Sequence, residues 1–377
     1  MPTPLLSQTA EKFQQYLSHR GLVFDAHIQA DLLSAVFSSQ LVLFAGPSGT
    51  GKSTAASALA TFFAPPNRRS VIKVERLWES PSDVVGSYST FANRFVPRPG
   101  LEQLRRAIAE PAPQAPSPFV IIEEANLSAM EGYLNPIMHE LSEPAVERVA
   151  WQLHSMDGPQ TVMGNDSLTV EPILYLGPWP RFLGTINVDH TAPAPAHKVC
   201  GRACVVLLEP PEDSASSEGV DALWSDPFPD EDESAPPGVL HDPRTTLGML
   251  RDGEGLASLS TSLDGVLQDL RDAIHGGNPV GKRDEHRCLL FMAWFAEIAP
   301  AVPGIDIPGG SVLRVAAENA VLHFVLPGLS ADQFSSAVTQ FSSAGSGSLL
   351  NRRCKNLADH EEVGSFGVPV DFWESLT

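Results

Sequence analysis

The sequence lacks the features of a membrane or secreted protein. It has no run of about 18 consecutive apolar residues, the length that a membrane-spanning helix needs. Residues Met1 to Gln15 contain no basic segment followed by an apolar one, so no secretory leader is predicted. Only four cysteines occur in 377 residues, in no zinc-binding spacing and too few to staple a chain of this size. We therefore expect free thiols, no membrane contact and a cytoplasmic location. The cysteines are Cys200, Cys204, Cys288 and Cys354.

Basic residues are also under-represented. Lys and Arg number 25 against 45 Asp and Glu, which gives a net charge of −20. A chain this acidic repels a polyanion, so sequence-independent DNA binding by this chain alone is disfavoured. Eleven of the acidic residues lie between Glu209 and Asp242, where no Lys or Arg occurs, and the rest of the chain carries −9. This distribution leaves room for a local basic patch or a DNA-binding partner. The low hydrophobicity of the acidic stretch predicts a mobile linker over residues 209–250.

Short apolar runs alternate with helical patterns in the first half of the chain. Leu41–Ala45 is continuously apolar and ends at a glycine, which is typical of a strand buried in a parallel sheet. Phe119–Ile122 and Arg181–Ile186 also indicate core strands. Strands that alternate with helices predict an α/β layered fold with a mostly parallel sheet. We predict a helical lead-in (1–40), an α/β core (41–208), the acidic linker (209–250) and a smaller helical domain (251–377).

The first apolar run leads into a phosphate-binding motif. Residues 46–53 fit the pattern G-x-x-x-x-G-K-[ST], with a predicted strand before the motif and a helix after it. The glycines let backbone N–H groups wrap phosphate oxygens near the positive end of the helix. We expect Lys52 to reach the β- and γ-phosphates and Ser53 to bind Mg²⁺. The predicted nucleotide-binding residues are Gly46, Pro47, Ser48, Gly49, Thr50, Gly51, Lys52, Ser53 and Thr54.

Two glutamates follow the run Phe119–Ile122. A site of this kind needs one carboxylate for the metal and a base that orients the attacking water. We assign Glu123 to the metal and Glu124 to the water. The metal position normally carries Asp, and because Glu123 is one methylene longer we expect looser metal geometry or slower hydrolysis. The alternative is a solvated pair at the end of a strand.

Three further residues are candidates for the same site. From a strand between the two earlier ones, Asn187 would hydrogen-bond the γ-phosphate or the attacking water, although an Asn after a strand more often caps a turn. Arg202 could reach the γ-phosphate of a neighbouring subunit as an arginine finger does, or form a surface salt bridge instead. Arg283, at the start of a predicted helix in the second domain, would place a cation over the nucleotide.

In this order the motifs resemble those of the AAA+ ATPases, and within them the McrB-like branch associated with modification-dependent restriction, which is related to the MoxR-type ATPases. The likeness covers most of the chain, with Gly201 in place of the Asp in the K-V-x-D-R-A segment. The matching segments are LVLFAGPSGTGKST (41–54), LWESPSDVVGSYS (77–89), FVIIEEANLSAMEGYLNPIMHELSE (119–143), FLGTINVDH (182–190), HKVCGRACVV (197–206), VLHFVLPGLSA (321–331) and GVPVDFW (367–373).

The resemblance implies a three-layer αβα P-loop core with a helical lid domain, and hydrolysis of ATP or GTP with Mg²⁺. It implies a homo-oligomeric ring, a hexamer, in which Arg202 acts on the neighbour's nucleotide, and a hairpin within Val149–Leu176. It also implies coupling of hydrolysis to remodelling of DNA or of a partner, with a separate McrC-like nuclease subunit through which DNA is reached. Members that recognise modified DNA carry an N-terminal reader domain, for which residues 1–40 are too few.

Two other functions fit the same motifs. One is a MoxR-like chaperone ATPase that remodels protein partners and assists metal insertion. The other is a weakly active scaffold that binds nucleotide and assembles. DNA-stimulated hydrolysis would favour the restriction motor over the chaperone, and measurable turnover would exclude the scaffold.

Overall fold

The computed structural model describes most of the chain. The described residues are 4–91, 94–108, 117–141, 148–153, 162–163, 168–169, 172–178, 180–188, 193–209, 252–274, 280–307, 311–361 and 371–376. Of the predicted acidic linker, 209–250, only Glu209 lies within these ranges. None of the helices in this part of the chain is long and apolar enough to cross a bilayer.

Helices and strands alternate in the first half of the chain, and helices fill the second. The helices are α1 Pro4–His19, α2 Ala26–Ser38, α3 Lys52–Phe63, α4 Pro81–Val85, α5 Pro99–Ile108, α6 Met130–Tyr133, α7 Asn135–Glu140, α8 His197–Cys200, α9 Gly253–Ala273, α10 Lys282–Ile298, α11 Val312–Phe324, α12 Ala331–Ser342 and α13 Leu349–Glu361. The strands are β1 Leu41–Gly46, β2 Arg69–Lys73, β3 Gly86–Ser89, β4 Arg94–Pro97, β5 Phe119–Glu123, β6 Arg148–Gln152, β7 Val162–Met163, β8 Leu168–Thr169, β9 Ile173–Pro178, β10 Arg181–Asn187 and β11 Cys204–Leu207.

The chain divides into two compact units. The first lies within Met1–Ser39, Ala203–Glu209 and Pro243–Thr377, and the second within Gln40–Arg202 and Pro210–Asp242. The predicted lead-in therefore belongs to the same unit as the C-terminal helices. The role of those helices as a lid stays a prediction.

The second unit is built on a parallel sheet, as the apolar runs predict. It contains four adjacent strands in the order β1, β10, β5, β2. Each neighbouring pair of these four strands is parallel. All six residues of β1 are buried, and so are the first four of β5. A strand that is covered on both faces needs apolar side chains at every position, which explains the continuous runs.

The carboxyl ends of these strands place four residues along one edge of the sheet. Gly46 ends β1 and is in register with Asn187, which ends β10. Lys73 ends β2 and is in register with Glu123, which ends β5. Because β10 lies between β1 and β5, Asn187 has the position expected from the sequence. Ligands of open α/β sheets bind at this edge.

A β-hairpin precedes β10, as the resemblance implies. Strand β6 pairs antiparallel with β9, with Trp151 opposite Leu174. A second, shorter antiparallel pair joins β7 and β8 inside the same segment. The hairpin is therefore confirmed, and its second main strand begins at Ile173.

Helices form the first unit around a common apolar core. Helix α10 packs against α2, α9 and α11, and α12 packs against α13 and α9. Inside this core His323 Nε2 lies 2.6 Å from Asp31 Oδ2, and Asn319 donates to Asp31 Oδ1 at 3.0 Å. These buried polar groups satisfy one another, which is the condition for keeping them in an apolar interior. The same unit holds the free thiols Cys204, Cys288 and Cys354, and all four cysteines of the chain are buried.

Candidate active site

The phosphate loop lies between β1 and α3 and depends on glycine conformations. Gly49 and Gly51 have φ values of 82° and 83°, in the left-handed region where a side chain is disfavoured. Gly51 caps α3, so the loop's N–H groups stand at the N-terminus of a 12-residue helix. Backbone amides and the helix dipole both favour an anion at this point.

Lys52 is held inside the loop by main-chain carbonyls. Its side chain is buried, and Nζ donates to Gly46 O at 3.0 Å and to Pro47 O at 2.5 Å. The Thr50 hydroxyl donates to the same Pro47 carbonyl at 3.0 Å. The ammonium therefore stands where phosphate oxygens, which carry full negative charge, would replace neutral carbonyls as stronger acceptors.

The two glutamates after β5 have different backbone settings. Glu123 is the last strand residue, whereas Glu124 has φ 52° and ψ 46°, a left-handed conformation that is uncommon outside glycine. The Glu124 N–H donates to the Thr185 hydroxyl on β10 at 3.0 Å. The turn is thus fastened to the neighbouring strand, which turns the Glu124 side chain away from the path that a continuing strand would give it.

Asn126 fastens the same turn to the end of β10. Its side-chain amide donates to Asn187 O at 2.9 Å and to Pro193 O at 3.1 Å. Asn126 is buried, and these bonds satisfy a polar group that would otherwise be costly to bury. The Asn126 side chain therefore positions the backbone of Asn187.

One cavity of about 550 Å³ joins these elements, a volume within the range of small-molecule sites. Three predicted residues, Glu123, Glu124 and Asn187, line it. The loop and helix residues in its wall are Ser48, Gly49, Gly51, Lys52, Ser53 and Thr54. The predicted loop residues Gly46, Pro47 and Thr50 are not part of the wall; they bind Lys52 or one another instead.

Three lining residues escaped the sequence analysis, namely Lys73, Val74 and Thr185. Lys73 Nζ lies 3.5 Å from Glu123 Oε2. A signal existed for each charged or polar one. Lys73 ends β2, and Thr185 stands two residues before Asn187, so Thr185 and Asn187 lie on one face of β10.

The segments after β2 and β5 are tied together beside the cavity. The Ser128 hydroxyl donates to Glu75 O at 2.9 Å and accepts from Trp78 N at 3.1 Å. The Tyr133 hydroxyl donates to Ala125 O at 2.6 Å, and burial raises the pKa of Tyr133 well above its ordinary value. The buried phenol therefore stays protonated and keeps its hydrogen bond to Ala125, the residue that follows Glu124.

The two predicted cations, Arg202 and Arg283, belong to different units of the chain. Arg202 follows α8 in the second unit, where its Nε donates to Met138 O at 2.8 Å and its Nη1 to Lys198 O at 2.7 Å. It is not among the residues that line the cavity. Arg283 lies near the start of α10 in the first unit. The roles of Arg202 and Arg283 stay predictions.

The oxygen donors at the cavity suit Mg²⁺. Ser53 supplies a hydroxyl and Glu123 a carboxylate, and a hard divalent cation takes ligands of these types while keeping water and phosphate oxygens in its other positions. Within the described ranges no group of three or more His, Cys, Asp or Glu side chains could hold a metal alone. A cation that arrives with a nucleotide fits this set better than a cage made of protein ligands.

Comparisons with known proteins give little beyond this geometry. No protein-family profile matches the chain, and no curated protein matches it. Among solved structures, it is similar to the 2.00 Å crystal structure of a putative ATPase from Cytophaga hutchinsonii, with 14% identity and a TM-score of 0.49. The match covers 85% of this chain and 87% of that one.

Proposed function

We propose that this protein binds a nucleoside triphosphate with Mg²⁺ and hydrolyses it. One observation carries the proposal: a single cavity brings the loop residues Lys52 and Ser53 together with Glu123, Glu124 and Asn187. Phosphoryl transfer needs positioning and charge stabilisation more than covalent chemistry by the protein, and these residue types supply both.

Each residue has a distinct task in this reaction. The loop N–H groups and Lys52 bind the β- and γ-phosphates. Ser53 and Glu123 would hold Mg²⁺, which supplies charge neutralisation on the phosphate oxygens when bound. Glu124 orients the attacking water and accepts its proton as the bond from the γ-phosphorus to the bridging oxygen breaks. Asn187 donates from its side-chain amide to the γ-phosphate or to that water.

We further infer an AAA+ ATPase or GTPase of the McrB-like branch that works as a hexameric motor in the cytoplasm. The ordered set of motifs supports this, as do the hairpin before β10 and the place of Arg202 outside the cavity of its own unit. Arg202 would act on the neighbouring subunit's nucleotide, and Arg283 would act from a helical lid. Hydrolysis would remodel DNA or an McrC-like nuclease partner, with DNA reached through that partner.

The proposal is tested by binding and turnover measured on the same preparation. We expect labelled ATP or GTP to bind the wild type in the presence of Mg²⁺. Glu124→Gln keeps the size of the side chain and removes the base, so it should retain binding and lose turnover. A scaffold would show no turnover for this substitution to remove. Mass measurement with nucleotide should show a ring, and turnover stimulated by DNA would favour the restriction motor over a protein-remodelling chaperone.

A further inference from the structure

The cavity contains a cation that the proposed reaction does not use. Lys73 and Glu123 are the last residues of adjacent parallel strands and stand directly opposite each other in register. Residues in register on adjacent strands project from the same face, and both side chains line the cavity. Lys73 Nζ lies 3.5 Å from Glu123 Oε2.

This ion pair is easily broken. The Lys73 side chain is 74% exposed and that of Glu123 is 21% exposed, so water screens much of their attraction. The distance of 3.5 Å also exceeds the roughly 2.7–2.9 Å of a strong charge-assisted hydrogen bond. Lysine has a long, flexible stem, and its ammonium can leave without disturbing the strand. The geometry fits a displaceable cation better than a structural bridge.

The Glu123 carboxylate cannot pair with Lys73 and bind a divalent cation at the same time. Mg²⁺ needs the ionised carboxylate, directly or through water, and its position near Glu123 would bring two cations close together in a partly enclosed site. The Lys73 ammonium must therefore move away before the Glu123 carboxylate can bind the metal ion. Ser53, the other donor of the set, has no such competitor among the hydrogen bonds and ion pairs of the described chain.

We propose that Lys73 is a competing cation that occupies Glu123 until a metal–nucleotide complex displaces it. Lys73 then raises the metal concentration at which the site fills, and filling releases its side chain into the cavity mouth. The proposal rests on the nucleotide-binding function above. It concerns the metal dependence of that function rather than its existence.

The test uses Mn²⁺ as a spectroscopic substitute for Mg²⁺. Mn²⁺ is titrated into the full-length protein with a non-hydrolysable ATP or GTP analogue, and free Mn²⁺ is followed by electron paramagnetic resonance. Loss of an exposed ion pair changes an equilibrium by about two- to fivefold, so Lys73→Gln should reach half-saturation at that much lower Mn²⁺. Lys73→Arg keeps the charge and should resemble the wild type. Lys198→Gln removes a positive charge of the same unit outside the cavity, and it should also leave the midpoint unchanged.

A double substitution isolates the pair itself. In a Glu123→Gln background the carboxylate is gone, so adding Lys73→Gln should cause no further shift in the Mn²⁺ midpoint. An unchanged or higher midpoint for Lys73→Gln alone would overturn the inference, and the higher midpoint would make Lys73 a ligand of the nucleotide. If the wild type takes up neither the nucleotide analogue nor Mn²⁺, the proposed function itself fails and the inference falls with it. Thermal denaturation of each variant confirms that the fold is intact.

Discussion

Thr185→Val removes the hydroxyl that holds Glu124 in place. That hydroxyl accepts the Glu124 N–H at 3.0 Å, and the Thr185 side chain is buried. Valine has nearly the same shape, so the strand and the cavity wall should keep their packing. The substitution therefore tests the positioning of Glu124 without disturbing the sheet.

The expected fall in kcat follows from two free energies of similar size, the cost of the Glu124 backbone conformation and the contribution of the hydrogen bond. The left-handed conformation of Glu124 costs a non-glycine residue about 1–2 kcal/mol. A hydrogen bond of this kind contributes about 0.5–1.5 kcal/mol net. Without the bond, the backbone can relax away from the left-handed region and take the carboxylate with it. Since about 1.4 kcal/mol is tenfold in rate, we expect kcat to fall about two- to tenfold, with nucleotide affinity unchanged.

The assay is steady-state phosphate release together with binding of labelled nucleotide. Thr185→Ser keeps the hydroxyl acceptor and should retain most of the turnover that Thr185→Val loses. A merely structural role would lower the activities of the two variants in proportion to their thermal stability. Wild-type turnover in Thr185→Val, or an equal loss in Thr185→Ser, would refute the role given to this hydroxyl.

Three further predictions concern other parts of the chain. Arg202→Ala should retain nucleotide binding and lose most hydrolysis by the assembled ring; hydrolysis at the wild-type rate would show that Arg202 is not the finger. Gly132→Ala should lower the free energy of unfolding by about 1–3 kcal/mol, because its Cβ would stand 2.4 Å from Glu79 O, whereas Gly265→Ala, with open space around its Cβ, should not destabilise the fold in denaturant titrations. Burial raises the pKa of the Cys288 thiol from 9.0 to about 12, so on raising the pH the unfolded chain loses this proton before the folded chain does. The free energy of unfolding should therefore be constant below pH 9 and fall as the pH rises toward 12. Cys288→Ala should reduce this fall.

The sequence was most informative where burial leaves little choice of residue. Leu41–Ala45 and Phe119–Ile122 are continuously apolar because their strands are covered on both faces, and both were predicted as strands. The loop after β1 was predicted because its glycines and Lys52 form a local pattern. Glu123 and Glu124 were predicted as site residues because they directly follow the apolar run Phe119–Ile122, and both line the cavity. Each of these signals lies within a few neighbouring residues.

Features that depend on distant residues or on backbone detail were missed. The segment Met130–Glu140 forms two short helices rather than one, since Pro136 has no N–H to donate to the carbonyl of Gly132. The contact between Lys73 and Glu123 depends on the order of strands, which no local pattern reveals. The left-handed turn at Glu124 likewise needs the hydroxyl of another strand, 61 residues along the chain.

The central claim is that the loop around Lys52 binds the phosphates of a nucleotide. Equilibrium binding of labelled ATP and GTP in the presence of Mg²⁺ tests it most directly, with Lys52→Ala as the paired variant. We expect saturable uptake of at least one nucleotide by the wild type and loss of that uptake in Lys52→Ala, because a charge-assisted contact to phosphate disappears. Absence of uptake by the wild type, or unchanged affinity in Lys52→Ala, would contradict the account.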